Sequence, residues 1–293
     1  MGTVVDGNYY SKYSGDQIDF LLAKNRNWIR NGYFVGGGTA GKFPINQRGN
    51  PSYGAGGTID GWNLDAGHSL TVSNEYIRIT STLGSSGGLT QVIENGELLA
   101  GAKVTFSIIG FNFAAGVYAD GILIGGISTY GGGSVQKDGS STTFNVPNGV
   151  TTISVTIESG YIWAIKLEYG SANTLYYSSA FDVVAPNYDE ELARCQRYLA
   201  PVKTSDLIHG ISISNTYYFD IPTHQQMASN PVLTDALRLV LVANGGTEEV
   251  TIPAGTSGTI GGSGISMTAA ISTTGNLQTA VAQVQEPTFL SCE

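Results

Sequence analysis

The chain has 293 residues, a formal net charge of −9 and only 13% charged residues, against about a quarter in an average globular protein. Lys and Arg together number 14 and are scattered, which excludes a nucleic-acid binder held by a basic face. No run approaches the ~20 apolar residues of a membrane-spanning helix, so no membrane insertion is expected.

Gly (40 residues) and Tyr (16 residues) are abundant, and Ser and Thr are plentiful. That mixture suits short strands joined by many tight turns. Few charges and many hydroxyls fit an extracellular setting and a neutral or weakly charged partner such as a glycan. The opening residues lack the basic start and apolar run of a secretory leader, so another route out of the cell is expected, such as release of virus particles by lysis.

Residues 1–26 form a segment of their own. Ser14-Gly15-Asp16-Gln17 reads as a capping box, with Ile18, Leu21 and Leu22 following on one helical face. A helix of about ten residues is marginal alone in water. Its apolar face must therefore pack either on its own domain or on other copies of the chain, and the expectation is oligomerisation.

Residues 27–172 read as strands. Val104, Phe106 and Ile108 alternate within 102–109, and Ile153, Val155 and Ile157 within 151–157. Tyr161, Trp163, Ile165 and Leu167 alternate in the same way. This pattern buries one face and wets the other. Asp120-Gly121 between apolar runs 115–119 and 122–127 is a strong hairpin signal. Many short strands with Gly-rich turns predict a jelly-roll β-sandwich.

Residues 173–293 open with a helix capped by Asn187. Acidic residues fill its first turn, and Leu192, Cys195 and Leu199 form its apolar face. Strands are predicted at 208–212, 216–221, 236–243, 248–252 and 265–272, with a Gly-rich loop at 254–264. The predicted fold class is mainly β: a short N-terminal helix, a jelly-roll sandwich, then a smaller C-terminal β domain preceded by one helix.

No catalytic residues are expected. The three His residues sit in no metal-ligand spacing, no Gly-x-Ser-x-Gly elbow is present, and the Gly-rich loop lacks the Lys of a phosphate loop. Cys195 and Cys292 match no zinc or redox motif. They read either as reduced thiols or as a long-range pair.

Three stretches carry a resemblance: Asn31-Gly32-Tyr33-Phe34 with Pro44-Ile45-Asn46-Gln47-Arg48-Gly49 and Thr58-Ile59-Asp60-Gly61-Trp62; Trp163 to Gly170; and Glu190 to Tyr198, which contains Cys195-Gln196-Arg197-Tyr198. In this order they resemble phage or prophage tail-fibre (receptor-binding) proteins with a carbohydrate-binding-module-like jelly roll, over most of the chain to about residue 230. Gly61 departs from the pattern, which has Arg before the Trp. The resemblance implies a homotrimer in the virion, contact with other tail or fibre proteins, and adhesion to a host cell-surface glycan or surface protein. It also suggests a structural calcium near Asn31, Gly32 and Glu168, where the alternative is a carboxylate that is simply exposed.

Aromatic rings are the usual platform for sugars, since sugar C–H faces stack on them. Tyr53, Tyr118, Tyr130, Tyr217 and Tyr218 are the candidate glycan-binding residues, while Trp28, Trp62 and Trp163 read as core. Tyr217 and Tyr218 are neighbours on a strand, so they point to opposite faces. A carbohydrate-binding module of a secreted cell-surface or glycan-degrading protein is the alternative reading.

Overall fold

The computed structural model describes residues 3–5, 8–10, 27–35, 43–82, 84–129, 138–175, 187–202, 206–223, 227, 230–243, 246–260, 264–284 and 288–291. The fold is mainly β and has two compact units. The first comprises Met1–Pro44, Asn50–Gly56 and Asn63–Ala185, the second Ile45–Gly49, Gly57–Trp62 and Pro186–Glu293. Ile18, Leu21 and Leu22 lie outside the described residues. Among those described, no helix is long and apolar enough to cross a membrane.

Two short strands, β1 (Thr3–Val5) and β2 (Asn8–Tyr10), pair antiparallel. A ten-stranded sheet then joins β3 (Ser52–Tyr53), β4 (Gly56–Gly57), β5 (Asn63–Leu64), β6 (His68–Val72), β7 (Ile77–Ser81), β8 (Leu89–Val92), β9 (Lys103–Ala119), β10 (Ile122–Ser128), β11 (Asp138–Asn145) and β12 (Ile153–Tyr169). Its order is β3-β6-β7-β12-β8-β5-β4, with β9 also on β12 and both β10 and β11 on β9.

The sequence pattern divides β9 and β12 into two strands each, yet each runs unbroken for 17 residues. They stay continuous because they bend. Register shifts interrupt the β9–β12 ladder near Ser159 and between Ile162 and Ala164. Gly160 (φ 117°) and Asn112 (φ 48°) take the left-handed angles that such bends require. β12 accordingly pairs with β8 over Ser154–Ile157 and with β7 over Gly160–Ile162. One sheet thus curls into a sandwich-like or barrel-like form.

The alternation expected in 151–157 is present. Ile153, Val155 and Ile157 are fully buried opposite Ala119, Val117 and Ala115. The predicted hairpin is there too: Asp120 (φ 49°) and Gly121 (φ 81°) both have positive φ, as a two-residue type I′ turn demands. The Asp120 carboxylate accepts hydrogen bonds from the Thr151 hydroxyl (2.7 Å) and the Thr152 N–H (2.8 Å), which hold it below the usual carboxylate range.

Trp163 is buried as expected, but not on one face with Ile165 and Leu167. The bulge at Trp163 adds a residue and shifts the phase of the strand. Trp163 instead clusters with Ile109 and Ala164, under the half-buried Tyr33, Val35, Tyr76, Phe111, Tyr161 and Leu175.

The second unit holds α1 (Tyr188–Gln196) and β13 (Leu199–Val202), β14 (Leu207–Pro222), β15 (Val232–Leu233), β16 (Leu237–Ala243), β17 (Gly246–Ile252), β18 (Thr259–Ile260), β19 (Gly264–Val284) and β20 (Thr288–Ser291). One sheet has the order β13-β20-β15, the other β14-β19-β16-β17 with β18 on β19. The predicted runs 208–212 and 216–221 are a single 16-residue strand, paired with a 21-residue β19. The core includes Ile208, Tyr217, Phe219, Leu239, Val250, Met267 and Leu290. The Asn187 side chain caps α1 by accepting from the Asp189 N–H at 3.0 Å. Cys195 is buried, and Leu192 is only half-buried. Glu191, in the acidic first turn as expected, is buried and pairs with Arg194 at 2.8 Å.

The segments Ile45–Gly49 and Gly57–Trp62 join this unit through one buried carboxylate. Asp60 is fully buried; its Oδ1 accepts the Gln47 N–H (2.9 Å), and its Oδ2 accepts the Gln47 side-chain amide. That same amide donates to the Leu199 carbonyl at 2.9 Å, tying the segment to β13. Gly61 sits at φ 82°, an angle that an Arg would adopt only with strain.

Candidate functional site

The predicted tyrosines have different fates. Tyr53 is 9% exposed and Tyr217 is 0% exposed, so neither ring is open to a sugar. Tyr217 faces the core, stacks on Phe219 (5.1 Å between centroids) and donates its hydroxyl to the Ile208 carbonyl at 3.1 Å. Tyr130 lies outside the described residues. Tyr118 is half-buried on an outer sheet face, and Tyr218 is 44% exposed. The opposition predicted for Tyr217 and Tyr218 is therefore realised.

The Tyr118 face is built by register. Residues directly opposite one another across a sheet project to the same side. Leu123 of β10, Tyr118 of β9, Ser154 of β12 and Val92 of β8 form one such row. The adjacent row is Gly126, Gly116, Thr156, Thr90 and Asn63 of β5. The intervening residues Val117, Val155 and Gln91 are buried on the other side.

Gly126 is exposed, whereas Gly116 is buried under its neighbours. A Cβ at Gly116 would come within 2.6 Å of Leu123 Cδ1 and 3.1 Å of Tyr118 Cε2, so both side chains lean over that glycine. The Thr90 and Thr156 hydroxyls hydrogen-bond each other at 3.0 Å. Burial, and then the charge of exposed Glu158, raise the Tyr118 hydroxyl above the usual tyrosine range, so it remains a neutral donor at ordinary pH. One ring, flanking apolar groups, hydroxyls and an amide on one sheet face suit the stacking and hydrogen bonding of a neutral sugar. Neither row carries a cation.

A smaller face of the same kind surrounds Tyr218 on β14. Asp220 pairs with Ser266 of β19, which pairs with Thr259 of β18, and the Ser266 hydroxyl donates to the Asp220 carboxylate.

The residues suggested for calcium do not fit a divalent cation. Glu168 is 1% exposed, and its carboxylate already accepts from the Thr174 N–H (2.8 Å) and the Thr174 hydroxyl. The Lys166 ammonium stands 3.2 Å away, where it opposes a second positive charge. Asn31 (φ 48°) and Gly32 instead shape a turn against β12: the Ile165 N–H donates to the Gly32 carbonyl at 2.7 Å, and a Cβ at Gly32 would lie 2.6 Å from the Ile165 oxygen. Among the described residues, no group of three or more His, Cys, Asp and Glu is placed to hold a metal ion.

Sequence reasoning missed Tyr76, Arg78, Phe111 and Tyr161. The Arg78 guanidinium lies 5.1 Å from the Tyr161 ring centroid, and Tyr76 meets Tyr161 edge-on at 5.2 Å. The available signal was Arg78 between the inward-facing Ile77 and Ile79, but its pairing opposite Tyr161 is a long-range fact.

A scan of protein-family models matches no family, and a search of curated proteins finds no match. Among solved structures, the chain is similar to one described as a β-galactosidase from Bacteroides fragilis, at 10% identity and a TM-score of 0.20. The likeness covers 78% of this chain and 28% of that one, so the chain spans less than a third of its length. At that TM-score the similarity carries no argument about fold or chemistry.

Proposed function

We propose that this protein is a receptor-binding protein of a phage or prophage tail fibre, that it adheres to a host-surface glycan as a homotrimer, and that it performs no catalysis. The observation that carries the adhesive part is the outer face around Tyr118, with its paired threonine hydroxyls and the flanking, exposed Leu123 and Val92. So open a face covers little of a sugar, and affinity at one chain is weak. Three copies on one tip raise avidity without any new contact.

The fibre assignment, the virion location and the contacts with other tail proteins rest on the resemblance carried by Pro44–Gly49, Thr58–Trp62 and Glu190–Tyr198. Ile18, Leu21 and Leu22 are the proposed trimer contacts.

Two measurements test this reading. Light scattering is expected to give three chains for the full protein and fewer when residues 1–26 are removed. Binding to a neutral glycan array is expected from the full chain, with Tyr118→Ala weakening it about tenfold. A monomer in both forms would leave the secreted carbohydrate-binding module as the better account. Array binding unaffected by Tyr118→Ala and by Tyr218→Ala would remove both faces from consideration.

A further inference from the structure

The outer surface of the other half of the ten-stranded sheet carries a second arrangement that the Tyr118 face does not explain. Register places Thr71 of β6, Arg78 of β7, Tyr161 of β12 and Phe111 of β9 in one row across four strands. Ile77 and Ile79, on either side of Arg78, are buried on the opposite side. Thr71 and Arg78 are exposed; Tyr161, Phe111 and Tyr76 are half-buried. Ser69 and Thr80 add a hydroxyl pair on the same side of β6 and β7.

The aromatic part is held firmly. Tyr76 meets Tyr161 edge-on at 5.2 Å and Trp163 at 5.6 Å, and Phe111 lies 6.1 Å from Tyr161. Ser73 fixes Tyr76 from below: its hydroxyl accepts the Tyr76 N–H at 3.1 Å and donates to the Tyr76 carbonyl at 2.8 Å. Rings locked in this way lose little entropy when a ligand settles on them.

The Arg78 guanidinium carbon lies 5.1 Å from the Tyr161 ring centroid, a cation–π contact. A cation–π contact leaves guanidinium N–H donors free of the ring, and the residue is exposed. Among the described residues, no carboxylate pairs with Arg78. An exposed arginine beside a ring, with no acidic partner among the described residues, stands out on a chain of net charge −9. The fork of its donors matches a carboxylate, which it grips through two parallel hydrogen bonds.

We propose that Arg78, Tyr161, Tyr76 and Phe111 form a binding site for an acidic saccharide, one carrying a carboxylate such as a uronic or nonulosonic acid. The carboxylate lies on the Arg78 fork, the sugar ring rests beside it against the exposed edges of Tyr76 and Tyr161, and the Thr71, Ser69 and Thr80 hydroxyls line the approach. This site takes the opposite charge class from the Tyr118 face and does not depend on it.

The test uses the full-length protein and isothermal titration with tetragalacturonate, a hyaluronan tetrasaccharide and sialyllactose. Each is paired with its methyl ester, which keeps the sugar and removes the charge; a sulfated tetrasaccharide is run alongside. At least one acidic probe is expected to bind about tenfold more tightly than its ester, and Arg78→Gln is expected to erase that difference. Arg78→Lys keeps the charge but loses the fork, and is expected to recover only part of the affinity. Tyr118→Ala is expected to leave acidic binding unchanged. Melting temperatures of the Arg78 variants, both at an exposed site, are expected to match the parent and so separate binding from folding.

Equal binding of acid and ester by every probe, or full affinity in Arg78→Gln, would overturn the proposal. Tighter binding of the sulfated probe than of any carboxylate would overturn the assignment to carboxylates. Neutral glycans bound through Tyr118 while no acidic probe prefers Arg78 would sink this inference and leave the adhesive reading standing.

Discussion

Replacing Asp60 by Ala tests whether residues 45–49 and 57–62 are structural parts of the C-terminal unit. The carboxylate is fully buried and accepts both the backbone N–H and the side-chain amide of Gln47. Alanine removes the acceptor of the half-buried Gln47 N–H and of one side-chain amide N–H, the other still donating to the Leu199 carbonyl. Hydrogen bonds to a charged group contribute about 1.5–3 kcal/mol each, so the expected loss is about 3–6 kcal/mol. Each ~1.4 kcal/mol is a factor of ten, so the opening constant rises by a factor of about 100 to 20,000. Asp60→Asn keeps the shape; Gln47 then turns its amide to match and gives up the 2.9 Å bond to the Leu199 carbonyl, for a loss of about 1 kcal/mol. Hydrogen exchange read by mass spectrometry on the intact protein is the assay. Peptides from 45–62 and from 187–202 are expected to lose protection together, while 153–169 keeps its own. If the loss is confined to 57–62 and 187–202 is unmoved, Asp60 does not anchor that segment and the reasoning fails.

Three further outcomes follow from the geometry. Burial pushes the Tyr217 hydroxyl up to about 12; a raised pKa contributes stability that is intact below the unfolded value of about 10 and is lost as pH climbs towards 12. The urea midpoint of the parent is therefore expected to fall across that window, and Tyr217→Phe to show a shallower fall with a cost of about 1 kcal/mol at neutral pH. A Cβ at Gly88 would lie 2.2 Å from the Ile157 carbonyl oxygen, so Gly88→Ala is expected to push β8 off β12 at a cost of about 1–3 kcal/mol, whereas Gly54→Ala, with nothing within 4 Å, is expected to leave the thermal midpoint nearly unchanged. Asp120→Ala puts a residue with little tolerance for φ 49° into the turn and removes the acceptor for Thr151 and Thr152, so faster exchange in 116–125 is expected, with the parent losing the same protection only as acid titrates its depressed carboxyl.

Of the candidate site, sequence named tyrosines but could not tell which of them are open. Tyr118 and Tyr218 stand on outer faces; Tyr53 and Tyr217 are buried. Exposure at one position depends on which strand lies alongside, and no local pattern carries that. Gly116 drew no notice in sequence because its role appears only with Leu123 and Tyr118 leaning over it. Arg78 and Tyr161 are more than eighty positions apart, and only the β7–β12 register brings them together.

The sequence by itself determined what is local: a mainly β chain, the Asp120-Gly121 turn, the Asn187 cap of α1, and the alternation that buries Ile153, Val155 and Ile157. Each follows from backbone angles, capping chemistry or side-chain period within a few residues. Tertiary structure alone decided that β9 and β12 run on through their bends, that the bulge at Trp163 resets which face is inward, and that Asp60 ties a segment near residue 60 to a strand near residue 200. Bulges and buried polar bonds are settled by the long-range partner that satisfies them, and a sequence read in short windows holds no record of that partner.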